Sequence, residues 1–350
     1  MRVVLTGSAG FIGGAIADAL GTAGHEVVPV DLMLPAAHGE AEPPAGTHQL
    51  DVRDAATSPE WAAVLRGADA VCHQAAMVGA GVSPADLPAY AGHNDLGTAA
   101  LLAGMHAAGV RRLVVASSMV VYGEGRYACP EHGVVAPPPR TVAALDAGDF
   151  DNHCPTCDRA LGWETVDEDA RLDPRSSYAA SKVATEHLTS AWVRQAASSA
   201  VALRYHNVYG PRMPRDTPYS GVAAMFRSSL ERGEAPTVYE DGAQMRDFVH
   251  VSDVARANLL ALEQVVAGPD EQYAAYNVCS GHPVSILDVA RQVAAGTGSD
   301  LEPEVTGGYR LGDVRHIVAS PEGAAAGLGF RAEVLPDDGL RAFATAPLRA

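Results

Sequence analysis

Val3-Val4-Leu5-Thr6-Gly7-Ser8-Ala9-Gly10-Phe11-Ile12-Gly13-Gly14 decides the fold, because a short run of β-formers passes into a glycine turn and then into helical spacing through Ile16, Ala17 and Leu20. Strand, glycine turn and helix in that order form a phosphate cradle. Gly7 makes the tight turn, Gly10 lets a pyrophosphate approach backbone at the helix N-terminus, and Gly13 lets the helix pack on the strand. The spacing is G-x-x-G-x-x-G, and Phe11 and Ile12 inside it join the three glycines as candidate contacts for a dinucleotide.

The next strand, Val27-Val28-Pro29-Val30, ends on Asp31, whose carboxylate is placed to accept the hydroxyls of an adenosine ribose. Leu32-Met33-Leu34 brings no arginine to welcome a 2′-phosphate, so NAD is expected over NADP. Gln49-Leu50-Asp51-Val52 reads as the end of a third strand, with Asp51 set to meet the adenine amino group and Val52 beside it. Val71-Cys72-His73-Gln74-Ala75-Ala76 is a further buried strand opening into small residues, of which Ala75 lies against the cofactor. Cys72 and His73 read as core residues. Asn94-Asp95-Leu96-Gly97-Thr98 begins a long helix to about Ala108, with Asn94 a further cofactor candidate, and Leu113-Val114-Val115-Ala116 is the next strand. Strands alternating with helices give an α/β fold, a doubly wound right-handed parallel sheet.

That strand ends in Ser117-Ser118, at the carboxyl edge where ligands sit in such sheets. Farther on, Ser177-Tyr178-Ala179-Ala180-Ser181-Lys182 puts a phenol and an ammonium four residues apart, on one face of a helix. A phenol ionises near pH ~10, and a neighbouring cation favours the phenolate. Tyr178 is therefore a candidate base, Lys182 its cation and Ser118 a relay for the proton, with Ser117 and Lys182 also facing the cofactor.

The chain has 350 residues, 47% of them hydrophobic and 19% charged, which accommodates two lobes sharing an interface. Its net charge of −17 argues against nucleic acid or an anionic membrane as partners. No apolar run reaches the ~20 residues of a membrane span, and the strand pattern begins at once, so a cytoplasmic protein is expected. Against an acidic background, an anionic substrate needs a local basic site.

Between Gly123 and Ser177 the pattern breaks. Cys129-Pro130-Glu131-His132 and Cys154-Pro155-Thr156-Cys157 are two short-spaced ligand pairs joined by a long loop, as in zinc ribbons, so Cys129, His132, Cys154 and Cys157 are candidate ligands of a structural zinc. His153 is an alternative to His132, and a redox pair of Cys154 with Cys157, or free thiols, are alternatives to the metal.

After strand Val201-Ala202-Leu203-Arg204 the chain leaves the sheet through Tyr205-His206-Asn207-Val208-Tyr209-Gly210-Pro211. A substrate lobe is expected from there, giving domains of 1–205 with the insertion at 124–172, and 206–350 with about 246–262 packing back on the first. Gly221 to Leu230 reads as an amphipathic helix, and Tyr239 is an aromatic able to stack a nucleobase. Arg246, Arg310 and Arg315 are the natural diphosphate clamp. Ser252 or Asp253 is expected to cap the helix after His250, and the segment from about Arg341 to be poorly ordered.

In order along the chain, the glycine turn, Ser117-Ser118 with Val121-Tyr122-Gly123, the Tyr178/Lys182 pair, Arg204 to Pro211 and Arg246-Asp247-Phe248-Val249-His250-Val251 resemble the extended short-chain dehydrogenase/reductase family of nucleotide-sugar enzymes. The resemblance implies a Rossmann-type domain with a smaller substrate lobe, bound NAD, and a homodimer. By the same resemblance Tyr178 is the base, Lys182 holds the nicotinamide ribose, Ser118 the sugar hydroxyl, and Asn207, Val222, Tyr239, Arg246 and Arg310 contact the nucleotide-diphosphate sugar. Members that dehydrate their sugar carry acids just after the catalytic Ser/Thr. Met119 and Val120 stand there instead, so the resemblance implies 4-epimerisation. The insertion, Pro218-Tyr219-Ser220-Gly221-Val222 and Gly312-Asp313-Val314-Arg315-His316 are most similar to the branch of dTDP-L-rhamnose 4-epimerases.

Overall fold

A computed structural model describes residues 1–79, 81, 83–215 and 221–349. The chain builds a seven-stranded, wholly parallel sheet from β1 (Arg2–Thr6), β2 (Glu26–Asp31), β3 (His48–Gln49), β4 (Ala70–His73), β5 (Arg112–Ser118), β6 (Ser199–Tyr205) and β7 (Tyr273–Val278). In space the order is β3-β2-β1-β4-β5-β6-β7. The order reverses between β1 and β4, and a crevice opens beyond the carboxyl ends of strands at such a switch point.

Each face of the sheet has its own core. Helices α1 (Phe11–Thr22) and α5 (Val251–Ala267) cover one face, where Val3, Leu5, Ile16, Leu20, Val254 and Leu262 are buried together. On the other, α2 (Gly97–Ala108) and α3 (Ser177–Ala196) enclose Val4, Val71, Leu101, Met105 and Trp192. Residues hidden on both faces explain why the strands read as unbroken apolar runs. The helix expected to begin at Asn94 starts earlier, at Leu87, and reaches α2 through a π-helical stretch, Ala91–Leu96. At the start of α5 the cap is His250, whose ring nitrogen accepts from the Ser252 amide. Asp253 is drawn away to Arg256 and to the amides of Glu333 and Val334.

The division at 205/206 is crossed more deeply than the sequence suggests. After α5 the chain adds β7 to the edge of the sheet, in register with β6, and Ala324, Leu328 and Phe330 join the first core. What remains of the second lobe centres on α4 (Val222–Glu231) and α6 (Ile286–Thr297), with Phe226, Phe248, Val293 and Phe343 at its heart. Residues 342–349 pack against the rest of the protein, contrary to expectation: Leu348 packs on this core, and Arg349 hydrogen-bonds to the glycine turn through the Ala9 carbonyl, 2.7 Å away.

The insertion is a three-stranded antiparallel sheet, with Arg126–Cys129 between Gly133–Val135 and Gly162–Glu164. It packs around Tyr127, Cys129, Cys154 and Leu161. Among the described residues, no helix is long and apolar enough to cross a membrane.

Candidate active site and dinucleotide cleft

A cleft of about 430 Å³ lies at the switch point. Gly7, Gly10, Phe11, Ile12 and Gly13 form one wall, Asp31, Asp51 and Val52 one end, and Ala75, Ser117, Tyr178, Lys182, Asn207 and Val222 run toward the other. Gly7 has φ +67°, and a Cβ there would sit 2.7 Å from the Ala75 amide nitrogen, so only glycine lets the turn and the β4 end meet. The Thr6 hydroxyl accepts from the amides of Gln74 and Ala75 and pairs with His73 Nδ1, and His73 Nε2 meets Thr98. His73 is thereby a satisfied core histidine, held neutral by burial.

The cradle fits a dinucleotide. No side chain caps α1, so its first amides are left to an anion, and the Ser8 hydroxyl is buried in the turn without a partner. Asp31, at the end of β2, accepts from the Ala9 and Met33 amides and faces His38 Nε2 at 3.4 Å. Burial works against its charge. The His38 contact and the two amides outweigh burial and hold the carboxyl below its ordinary range. Asp51 lines the cleft while Arg53 grips both its oxygens, which also lowers it.

Two expected cofactor contacts are otherwise engaged. Asn94 is buried with its amide bound to the Met77 carbonyl and the Ser181 hydroxyl, and its oxygen accepts from the Met77 amide. It positions the loop after β4 rather than facing a ligand. The Ser117 hydroxyl turns beneath the cleft to Glu186.

Ser176 caps α3 through the Ala179 amide, which puts Tyr178 in the first turn and Lys182 one turn on. Ser118, ending β5, stands beside the Tyr178 phenol. The Lys182 ammonium donates to the Ala116 carbonyl at 2.9 Å and lies 5.9 Å from the Tyr178 ring centroid. The expectation that this cation brings the phenol toward neutrality needs correcting. Burial pushes Tyr178 up to about 12 against the opposing pull of the neighbouring Ser118 hydroxyl, and presses Lys182 down to about 8. The protein alone keeps the phenol protonated.

The next turn of α3 carries Glu186, which sequence reading passed over although Tyr178, Lys182 and Glu186 follow at i, i+4 and i+8. It accepts from Ser117 and takes Arg204 on both oxygens, at 2.9 and 2.7 Å.

In the second lobe, the Arg310 guanidinium stacks 5.2 Å over the half-exposed ring of Tyr239. Arg246 turns two of its nitrogens to the carbonyls of Met245, Val314 and Arg315. Arg315 does not belong with them. It is 2% exposed and closed in by Glu240, Asp241 and Asp151, at 2.7 to 3.0 Å, so no donor is directed at a phosphate. Pro218, Tyr219 and Ser220 lie outside the described residues.

In the insertion, the ligand atoms of Cys129, His132, Cys154 and Cys157 all lie within 4.8 Å of one another. The Cys129 and Cys157 sulfurs are 3.7 Å apart, and His132 Nδ1 is 3.4 Å from Cys129 Sγ and 3.5 Å from Cys154 Sγ. Of the two histidines, His132 faces the thiols. His153 is tied to Asp149 and the Asp158 carbonyl.

The profile of the NAD dependent epimerase/dehydratase family matches residues 3–143 and 158–279. A dTDP-L-rhamnose 4-epimerase of Burkholderia thailandensis is 34% identical over 340 residues, covering 94% of this chain and 90% of that protein. A UDP-glucose 4-epimerase of Streptomyces lividans is 29% identical, covering 94% and 91%. Among solved structures, a UDP-glucose 4-epimerase from Thermotoga maritima with UDP-glucose superposes with a TM-score of 0.78 at 28% identity, covering 98% and 97%. A UDP-glucose 4-epimerase of Thermus thermophilus in complex with NAD gives 0.74 at 30% identity, covering 98% of both chains. With its sheet order, its glycine cradle and the Tyr178/Lys182 pair, the chain belongs to the NAD-dependent epimerase/dehydratase family, the extended short-chain dehydrogenase/reductases, and is an enzyme of its epimerase class.

Proposed function

We propose that this protein inverts C4 of a nucleotide-diphosphate deoxysugar, dTDP-L-rhamnose first among candidates, through a transient 4-keto sugar. The observation that carries the reaction type is the Ser118 hydroxyl at the end of β5, set beside the Tyr178 phenol that lines the cleft, followed by Met119 and Val120 where a dehydrating enzyme needs an acid. Ser118 holds the sugar 4-hydroxyl and passes its proton to Tyr178, which returns it when the alcohol is rebuilt. Lys182 offers its free protons to the nicotinamide ribose, Asp31 takes the adenosine ribose, and the glycine turn receives the pyrophosphate. NAD, when bound, accepts and returns the C4 hydride, and its oxidised ring brings the positive charge that Tyr178 lacks in the protein alone. Asn207, Val222, Tyr239, Arg246 and Arg310 hold the nucleotide diphosphate and leave the sugar ring free to present its other face.

The substrate is tested by incubating dTDP-L-rhamnose, UDP-glucose and UDP-glucuronate with enzyme alone and reading new C4 epimers by NMR. Turnover of the dTDP sugar without added cofactor is expected. Turnover of a UDP sugar alone reassigns the substrate, and stoichiometric consumption of NADH or NADPH makes the protein a 4-ketoreductase. Tyr178→Phe is expected to cost at least about a thousandfold in turnover while the protein still retains NAD; unchanged activity sinks the assignment.

We further infer that the insertion holds structural zinc. Zn–S bonds of ~2.3 Å place tetrahedral ligands about 3.7 Å apart, the separation of Cys129 and Cys157. Four ligands close the site, so the ion folds the insertion and takes no part in chemistry. Less than about half an equivalent of zinc in purified protein, with the thiols titrating free, rejects it. A homodimer and a cytoplasmic setting complete this reading, and sedimentation decides the first.

A further inference from the structure

The cofactor cleft has a wall that the family motifs do not include. The segment Pro347–Arg349 returns from the second lobe and lies along residues 212–215: the Arg212 amide donates to the Pro347 carbonyl at 2.7 Å, the Arg349 amide to the Met213 carbonyl at 3.1 Å, and the Arg215 amide to the Arg349 carbonyl at 3.2 Å. This pairing carries the Arg349 side chain into the lining of the dinucleotide cleft. There one terminal nitrogen donates to the Ala9 carbonyl of the glycine turn, and the other to the Ala37 carbonyl, both at 2.7 Å, with His38 Nδ1 at 3.5 Å.

These contacts close a ring around the ribose-binding acid. Asp31 accepts from Ala9 N at 3.0 Å, Ala9 O accepts from Arg349, and Arg349 meets His38, which faces Asp31 at 3.4 Å from its other nitrogen. Among the described residues Arg349 has no carboxylate partner. In a chain of net charge −17, an arginine spending its hydrogen bonds on neutral carbonyls beside a phosphate cradle is a cation left for an anionic ligand. A guanidinium has five N–H donors, so the contacts to two carbonyls leave some for a phosphate oxygen.

We propose that Arg349 is a cofactor-retaining residue: it ties the glycine turn to the loop after β2, shuts the adenosine end of the cleft, and faces the dinucleotide diphosphate, so that NAD leaves slowly. An enzyme that regenerates its cofactor at every turnover gains from such retention. The residue acts on cofactor release and not on the reacting atoms.

The test uses the full chain with its copurified cofactor. Holoenzyme is diluted, and released NAD is followed over time in the ultrafiltrate for wild type, Arg349→Ala and Arg349→Lys. Loss of the planar fork is expected to speed release about tenfold in Arg349→Ala, with Arg349→Lys between the two, and added NAD is expected to restore wild-type turnover. Release within twofold of wild type in Arg349→Ala overturns the proposal. So does lost turnover that added NAD fails to restore, because that marks a general disturbance of the fold. NAD release is read without any sugar, so failure of the proposed substrate removes only the turnover arm and leaves the release measurement intact.

Discussion

Arg204 and Arg315 are buried to nearly the same degree, and they do different work. Arg204 is 5% exposed and meets a single carboxylate, Glu186, itself 3% exposed. Its remaining donors go to the Tyr122 hydroxyl and the Glu168 carbonyl. Arg315 is 2% exposed and meets three acids, of which Glu240 is buried while Asp241 and Asp151 are about half exposed. The first pair lies under the catalytic helix, joining β6 to α3. The second joins the second lobe to the insertion, with Arg140 bridging Glu240 and the Asp313 carbonyl beside it. A buried arginine belongs to whichever carboxylates enclose it, so the position of those acids, and not the arginine, decides whether the charge serves the catalytic pair or the joint between lobes.

The comparison breaks most visibly at Glu186. Glu186→Leu leaves the Arg204 charge buried with no carboxylate, which costs about 3–5 kcal/mol. Urea unfolding measures the loss. A cost under about 1 kcal/mol means that Arg204 finds another partner and that the two arginines are equivalent after all. Replacing Arg315 by Met is expected to cost less, about 2 kcal/mol, because two of its acids regain water and Glu240 keeps Arg140. Its sharper signature is a split between sites. The KM for nucleotide sugar rises severalfold as the segment 309–316 loosens, and NAD retention stays unchanged. A variant that loses both together shows that the joint reaches the cofactor cleft.

The same contrast explains what the sequence made legible. The half of the molecule around β1, β2, β4, β5 and α3 is written in local chemistry: a strand, a glycine turn and a helix follow one another within a few residues, and Tyr178 and Lys182 share a helix face by spacing alone. Metal-type spacing likewise brought Cys129, His132, Cys154 and Cys157 together. What the sequence did not show depends on contacts between distant parts of the chain. Arg315 read as a phosphate ligand because Asp151 lies 164 positions away along the chain. Arg349 read as part of a loose segment because nothing near it in sequence hints at Ala9, 340 positions earlier. Asn94 and Ser117 lay in the right strand and helix, but which way each side chain turned was set by Met77, Ser181 and Glu186.

Glu186 also separates a fixed cation from a titrating one. Arg204 stays charged at any accessible pH, whereas burial presses Lys182 down to about 8 from an ordinary 10.5, with Glu186 pulling the other way. Below about pH 8 folded and unfolded chains both carry the lysine charge, and the cost of burying it is fully present. Between about 8 and 10.5 the unfolded chain holds more protons than the folded one, so the Lys182 contribution to stability rises with pH across that window. Tyr178, pushed up to about 12 by burial, acts in the opposite direction, but only above its ordinary value near 10. Cofactor-free protein is therefore expected to gain on the order of 1 kcal/mol in unfolding free energy from pH 8 to pH 9.5, relative to Lys182→Met measured alongside it. Parallel pH dependence in the two proteins means that the ammonium is better solvated than its contact with the Ala116 carbonyl implies, and the distinction between the two cations beside Glu186 then falls.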